Sequence, residues 1–340
     1  MHMSCLICYV FTMPAQKTRR RSVSRRARGR RFIRCSTAAL LVFHLLLLGG
    51  CIHTAPFRDA DGHVIPESIA TMEDVPIGGI SQRLWFPGVN KSNPALILLH
   101  GGPGASEAAL FRHYNAELER HFLVVYWEQR GTGRSYHGGI PPESMTIDRF
   151  VRDLDEVVEL VRRRFHKRKV VLLGHSWGTV LGAIYSYEHP DKVAVYVGVA
   201  QISDRRREFQ VSCQFALSQA KQRANRGALE ELQKICPEPH SVDERLRLGA
   251  WVEQFGGMFH GDLSTGKLIW AALTTDEAGL IDLVKFGRGN RFSLEQLEGE
   301  TSALNLKASY RSFHVPIFFI LGRYDWHVPA VVGKEYFEAI

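Results

Sequence analysis

The sequence predicts an α/β fold: a mostly parallel sheet covered on both faces by helices, with a helical insertion. Three observations predict it. Short apolar runs at Ala95–Leu99, 122–127, 170–173, Val193–Val199 and 317–321 read as buried strands, with no polar alternation of the kind an exposed sheet face requires. Helical periods alternate with them, at 145–165 and at Trp177–Glu188. The long gap from 201 to 312 is rich in helix formers and lacks strong strand runs.

Each element has a local reason. In 145–165, apolar Ile147, Phe150, Val151, Leu154, Val157, Val158 and Val161 recur at helical spacing. Asp153, Asp155, Glu156 and Glu159 are placed on or near the opposite face, and Arg162 to Arg164 close the helix where its dipole favours cations. Residues 53–93 read as loops and short strands broken by Pro56, Pro66, Pro76 and Pro87. The division that follows is a leader at 1–50, a core at 51–200 and 313–340, and a helical cap at 201–312. That cap is expected over the carboxyl ends of the strands, where open α/β sheets bind ligands.

The chain has 340 residues and a net charge of +8, but the charge is local. Residues 1–34 hold Lys17 and nine arginines with no acid, so the remainder carries −2. A near-neutral body without a basic stripe excludes a nucleic-acid role for it. The uncharged, aliphatic stretch at 35–52 after that basic run has the order of a secretory signal. It ends in Leu48-Gly49-Gly50-Cys51, which resembles a bacterial lipobox with Cys51 as the lipid-modified residue. An uncleaved signal-anchor helix around 35–52, at the lower length limit for a span, and a plain cleaved signal or a mis-called start are the alternatives. All place the body outside the cytoplasm, and the first two anchor it to the membrane through its N-terminal segment. The six cysteines show no zinc-ligand spacing. Cys213 and Cys236 are either a disulfide or two buried thiols. No metal and no cofactor is expected, and the oligomeric state is open.

Four motifs follow predicted strands. Gly174-His175-Ser176-Trp177-Gly178 lies between a strand and a helix, the context that turns G-x-S-x-G into a nucleophile elbow with Ser176 Oγ exposed at a helix N-terminus. His100-Gly101-Gly102-Pro103-Gly104 follows Ala95–Leu99; its glycines let backbone N–H groups approach a ligand. Gly102 N–H and Trp177 N–H are the two expected oxyanion donors, and His100 is expected to be structural. Glu128-Gln129-Arg130-Gly131-Thr132-Gly133-Arg134-Ser135 follows the next strand. Gly322-Arg323-Tyr324-Asp325 ends the last one, which puts Asp325 where a triad acid belongs in chain order.

In this order the motifs resemble those of the α/β-hydrolases related to proline iminopeptidase, over roughly residues 75–340. The family pattern is an HGGPG loop, a D-Q-R-G-x-G-x-S loop, a G-x-S-W-G elbow and a G-R-x-D turn; Glu128 stands where the family often has Asp. The resemblance implies a serine hydrolase acting through an acyl-enzyme on a small peptide amide or ester, aminopeptidase-like, with Ser176 and Asp325 catalytic. It also makes Glu253, in Trp251-Val252-Glu253, a candidate for holding a substrate amino group. The same family carries its catalytic histidine some tens of residues after the acid, and here no histidine follows His327. His327 is too close to Asp325 in sequence, His314 precedes the last strand, and His175 is turned away by the elbow. The expectation is therefore a chain cut short of its base, impaired as it stands. The alternatives are an esterase or lipase, and a non-catalytic binding protein on the same fold.

Overall fold

The computed structural model describes residues 54–275 and 277–340; the leader and its lipobox lie outside the described residues. Among the described residues no helix is long and apolar enough to cross a membrane.

Seven strands form one sheet in the order β1-β2-β4-β3-β5-β6-β7. They are β1 (Ile69–Ile77), β2 (Ile80–Gly88), β3 (Ala95–Leu99), β4 (Leu123–Glu128), β5 (Val170–His175), β6 (Val193–Val199) and β7 (Ile317–Ile320). From β4 through β3, β5 and β6 to β7 all pairings are parallel. β1 and β2 form an antiparallel hairpin that joins β4 by its second strand. The hairpin strands are each nine residues long, more regular than the short strands expected at 53–93. Their alternation is masked because most of β1 is only half-buried while the end of β2 is covered on both faces.

β3 and β4 are buried at every position, which is why they read as unbroken apolar runs. The principal core lies between the sheet and two helices, α3 (Ile147–Arg164) and α4 (Trp177–Glu188). The Thr146 side chain caps α3 by accepting from Arg149 N at 3.2 Å. Its apolar stripe, Phe150 to Val161, is buried as the periodicity predicts. α4 is apolar nearly all round and buried from Trp177 to Ser186, because strands and α3 enclose it.

Before β4 the chain forms α1 (Ala108–Asn115) and α2 (Leu118–His121). Between β6 and β7 it forms α5 (Arg205–Gln222), α6 (Arg226–Ile235), α7 (Val242–Gln254), α8 (Thr265–Leu273), α9 (Leu280–Ser302) and α10 (Leu306–Ser309). After β7 comes α11 (Ala330–Phe337). α5, α6 and α7 share an apolar cluster of their own, and the Cys213–Cys236 disulfide crosses it. The thiol alternative is thereby settled in favour of the bond.

Asp153 differs from its expected place on the polar face of α3. It is fully buried, and its carboxylate takes Arg130 Nε at 3.0 Å, Arg149 Nε at 2.8 Å and Gln82 Nε2 at 2.8 Å. Helical spacing alone cannot separate an acid facing water from one facing a buried guanidinium. Arg130 is itself only 1% exposed, and its Nη2 donates to Gly78 O at 2.7 Å, so one side chain ties the loop after β4 to the hairpin and to α3.

Arg130→Met removes the central cation and is expected to cost about 3 kcal/mol, the low end for a broken buried pair because Arg149 remains beside Asp153. Replacing Asp153 by Leu in the same chain should recover most of the loss. Urea unfolding of the two variants against the parent measures this; an unchanged midpoint in Arg130→Met would refute the role.

Candidate functional site

β5 ends and α4 begins at Ser176, whose backbone has φ 49° and ψ −117°. That is left-handed φ for a residue with a side chain, a conformation kept only when its surroundings enforce it. The enforcement is visible. Ser176 N donates to Val199 O at 2.9 Å, and Ser176 O accepts from Thr179 N at 2.9 Å and Thr179 Oγ1 at 2.6 Å. α4 then runs so close to β3 that a methyl group on Gly178 would stand 1.9 Å from Leu99 O. The motif spacing thus reflects a real close approach of helix and strand.

The loop after β3 meets this turn. A methyl group on Gly101 would lie 3.4 Å from Ser176 Cβ, so the glycine loop and the elbow are in contact. Gly102 has φ +117°, which L side chains rarely adopt, and this frees its N–H direction from the usual constraint. Trp177 is buried; its indole donates to Gln129 Oε1 at 3.0 Å and meets the Phe150 ring edge-on at 5.8 Å. The two residues expected to supply oxyanion amides, Gly102 and Trp177, line one cavity of about 40 Å³.

His100 is buried and structural in its contacts. Its Nδ1 donates to Gly101 O at 2.8 Å and its Nε2 accepts from Gln129 N at 3.2 Å. Burial pushes it down to about 4 despite the Gly101 bond, so it is neutral. Glu128 binds the two loops together: it accepts from Arg134 N at 2.7 Å and from Ser106 Oγ at 3.2 Å, and burial raises its carboxyl above the usual range.

Asp325 lies in the turn after β7 and is 5% exposed. Its Oδ1 accepts from the backbone N–H groups of His327 and Val328, both at 2.9 Å. The turn is pinned to the helices above it, since Trp326 N donates to Gly257 O at 2.7 Å and the Trp326 ring stacks on Phe215 at 4.9 Å. His327 is half-buried and lines the same cavity as Gly102 and Trp177. Glu253, on α7, is half-buried and accepts from Thr265 Oγ1 at 2.6 Å; it is not among the residues lining that cavity. A larger cavity of about 110 Å³ opens between Glu128, Arg134 and the apolar faces of α8 and α9; Trp177 does not line it, and Ser176 itself lines neither cavity.

Two features were not foreseen from sequence. One is the pair of arginines, Arg205 and Arg245, in the wall of the smaller cavity. The other is Glu107, which reads as an ordinary acid at the start of α1 but is 2% exposed, with Oε1 at 2.7 Å from His175 Nδ1. Burial disfavours a charged imidazole there, but the Glu107 charge and hydrogen bond, with help from the Asp325 charge, outweigh it and hold His175 above its ordinary 6.5. Burial in turn raises Glu107 above 4.5, with His175 opposing.

The sign of the pH effect follows. A raised imidazole stabilises the fold in full below its unfolded pKa, and that contribution is lost as pH rises through the folded value. Stability is expected to fall as pH rises above about 6.5, and Glu107→Gln should flatten the fall by removing the countercharge. Urea unfolding at about pH 6 and about pH 8.5 reads both slopes. Identical slopes in variant and parent would mean that this pair does not carry the dependence.

Comparison with known proteins agrees with the geometry. A family described as the alpha/beta hydrolase fold matches residues 94–340. A probable aminopeptidase of Bacillus subtilis (strain 168), YbaC, is 34% identical over 281 residues, covering 82% of this chain and 88% of the relative. A proline iminopeptidase of Neisseria gonorrhoeae is 28% identical over 281 residues, covering 77% of this chain and 84% of the relative. Among solved structures, a proline iminopeptidase-related protein from Thermus thermophilus superposes with a TM-score of 0.51 at 20% identity, covering 80% of this chain and 86% of that one, a likeness of fold. With the sheet order, the strained serine turn and these matches in hand, the chain belongs to the α/β-hydrolase family.

Proposed function

We propose that the protein is a serine hydrolase of small peptide amides or esters, aminopeptidase-like in substrate class. Ser176 attacks the carbonyl, and the N–H groups of Gly102 and Trp177 receive the oxyanion. Asp325 is the acid that orients and stabilises an imidazolium. The observation that carries the reading is the left-handed backbone of Ser176 at a strand–helix junction, in contact with the glycine loop. Strain of about 1–3 kcal/mol is held at this one residue by the packing of α4, and the same turn presents a hydroxyl above the sheet. The aminopeptidase class is supported by the relatives, named as a probable aminopeptidase and a proline iminopeptidase. In this reading 201–312 acts as a cap, and Glu253 is the carboxylate offered to a substrate amine.

The base is the weak point of the chain as it stands. Both ring nitrogens of His100 are engaged, by Gly101 O and Gln129 N, while Glu107 holds His175 at Nδ1. Burial, then the charges of Arg205 and Arg245, push His327 down to about 3, too weakly basic to take a serine proton efficiently near neutrality. Turnover should therefore resemble that of a triad lacking its histidine, roughly 10³–10⁴ over water. Export and membrane anchoring through the leader belong to the same proposal. The Cys213–Cys236 disulfide supports an oxidising compartment.

Slow hydrolysis of 4-nitrophenyl acetate by the full chain is expected, lost in Ser176→Ala, with added imidazole accelerating the parent and leaving the variant at background. Equal rates in parent and Ser176→Ala, with and without imidazole, would overturn the assignment.

A further inference from the structure

The cavity beside the elbow is lined by two chemically different sets of residues. One is Gly102 and Trp177, the proposed oxyanion donors. The other is Arg205, from the first turn of α5, Arg245, from α7, and His327. Among the described residues no carboxylate lines this cavity. The acids that hold the two arginines are not among the residues lining it. Arg205 Nη1 donates to Glu208 Oε2 at 2.7 Å, and its guanidinium lies over the Phe209 ring at 4.5 Å. Arg245 Nη2 is 2.8 Å from Glu298 Oε2, and its Nη1 donates to Thr301 Oγ1 at 3.2 Å. Each guanidinium is thus fixed in orientation before anything binds.

Do the paired carboxylates cancel the positive wall? His327 reports that they do not. After burial, the Arg205 and Arg245 charges are the largest causes of its downward shift. The cost also argues for a purpose. Arg245 is only 6% exposed, and burying guanidiniums is offset by their acids only in part; apolar residues would join the helices to the sheet at lower cost. A planar fork of donors suits a carboxylate better than any other common group. The space is adequate: a cavity of about 40 Å³ has room for about three water-sized groups, the bulk of a carboxylate and its carbon.

The geometry points to an anion subsite formed by Arg205 and Arg245, which selects substrates carrying a carboxylate a few bonds from the scissile carbonyl. This deepens the serine-hydrolase reading and rests on it for the position of the reacting carbon. The carboxylate can belong either to the acyl group or to the leaving group, as in a short peptide with a free C-terminus.

Two measurements test it on the full chain. In Ser176→Ala, which binds without turnover, isothermal titration should show succinate bound about tenfold or more tightly than neutral succinamide, the difference expected for a charge-assisted contact. Arg205→Gln and Arg245→Gln should each erase most of that ratio, and Arg205→Lys should restore part of it; thermal melting identifies a variant that fails to fold, and Arg205→Gln then decides. In the parent, mono-4-nitrophenyl succinate against 4-nitrophenyl acetate reads a carboxylate on the acyl side, and 4-acetoxybenzoate against phenyl acetate reads one on the leaving side. A preference in one pair, lowered by the arginine variants, supports the subsite and identifies the side. Succinate bound no better than succinamide, or a preference indifferent to both arginines, overturns it. Arginine-dependent succinate binding with Ser176-independent hydrolysis would keep the subsite and sink the hydrolase reading; Ser176-dependent hydrolysis without carboxylate preference would do the reverse.

Discussion

The backbone of Ser176 is the constraint on which the rest of the site depends. A left-handed residue between strand and helix is unfavourable by about 1–3 kcal/mol and survives only if its neighbours allow nothing else. Here the neighbours are rigid. Ser176 N is bound into the β6 edge through Val199 O, its carbonyl is held by Thr179, and α4 presses onto the end of β3 at Gly178. Moving the serine into an ordinary helical or extended conformation would detach α4, which is the most buried helix of the sheet's core. Local strain is thereby exchanged against a large apolar contact, and the contact wins.

The loops around that turn are fastened by buried polar groups rather than by apolar packing. Gln129 binds both His100 and Trp177; Glu128 joins the loop after β4 to the loop after β3; Arg130 and Asp153 anchor the loop after β4 to α3; Glu107 reaches His175. Loops expose backbone and offer little surface to bury, so directional bonds are the available means of fixing them. Such bonds require nearly complete pairing, which explains why a loop of glycines is surrounded by residues as costly to bury as Glu107, Glu128 and Arg130. The result is a set of three loops whose positions are coupled, so that the glycine loop cannot drift from the elbow without breaking charged contacts.

The parts legible in sequence are those governed by local physics. Strand β6 and helix α4 begin and end where the apolar runs do, and the sharp turn at 174–178 could be read from its glycines and its position between strand and helix. His100, expected to be structural, is held by Gly101 O and Gln129 N. What escaped depends on contacts between distant segments. Asp153 has the spacing of a solvent-facing acid, and only the guanidinium of Arg130, 23 residues earlier, takes it inside. Glu107 and His175 are 68 residues apart, and no pattern joins them. Cys213 and Cys236 could not be paired on spacing, because pairing depends on how α5 and α6 pack. The arginines of the smaller cavity lie on two helices between β6 and β7, where the sequence shows helices but not their arrangement.

The charges around the cavity also bear on which histidine can serve the serine. His327 is in the right cavity, but its neighbours are two cations, and a cationic wall is the wrong setting for a base that must gain a proton. A carboxylate docked between Arg205 and Arg245 would offset the cationic part of that shift. Burial is the largest single cause, and a docked group deepens it by excluding water. With the cavity empty, burial and the two arginines leave His327 neutral near neutrality, a poor general base. The cavity wall and the base are thus separate functions. The arginines suit it to recognising an anion, and they make it unsuitable for supplying the imidazole.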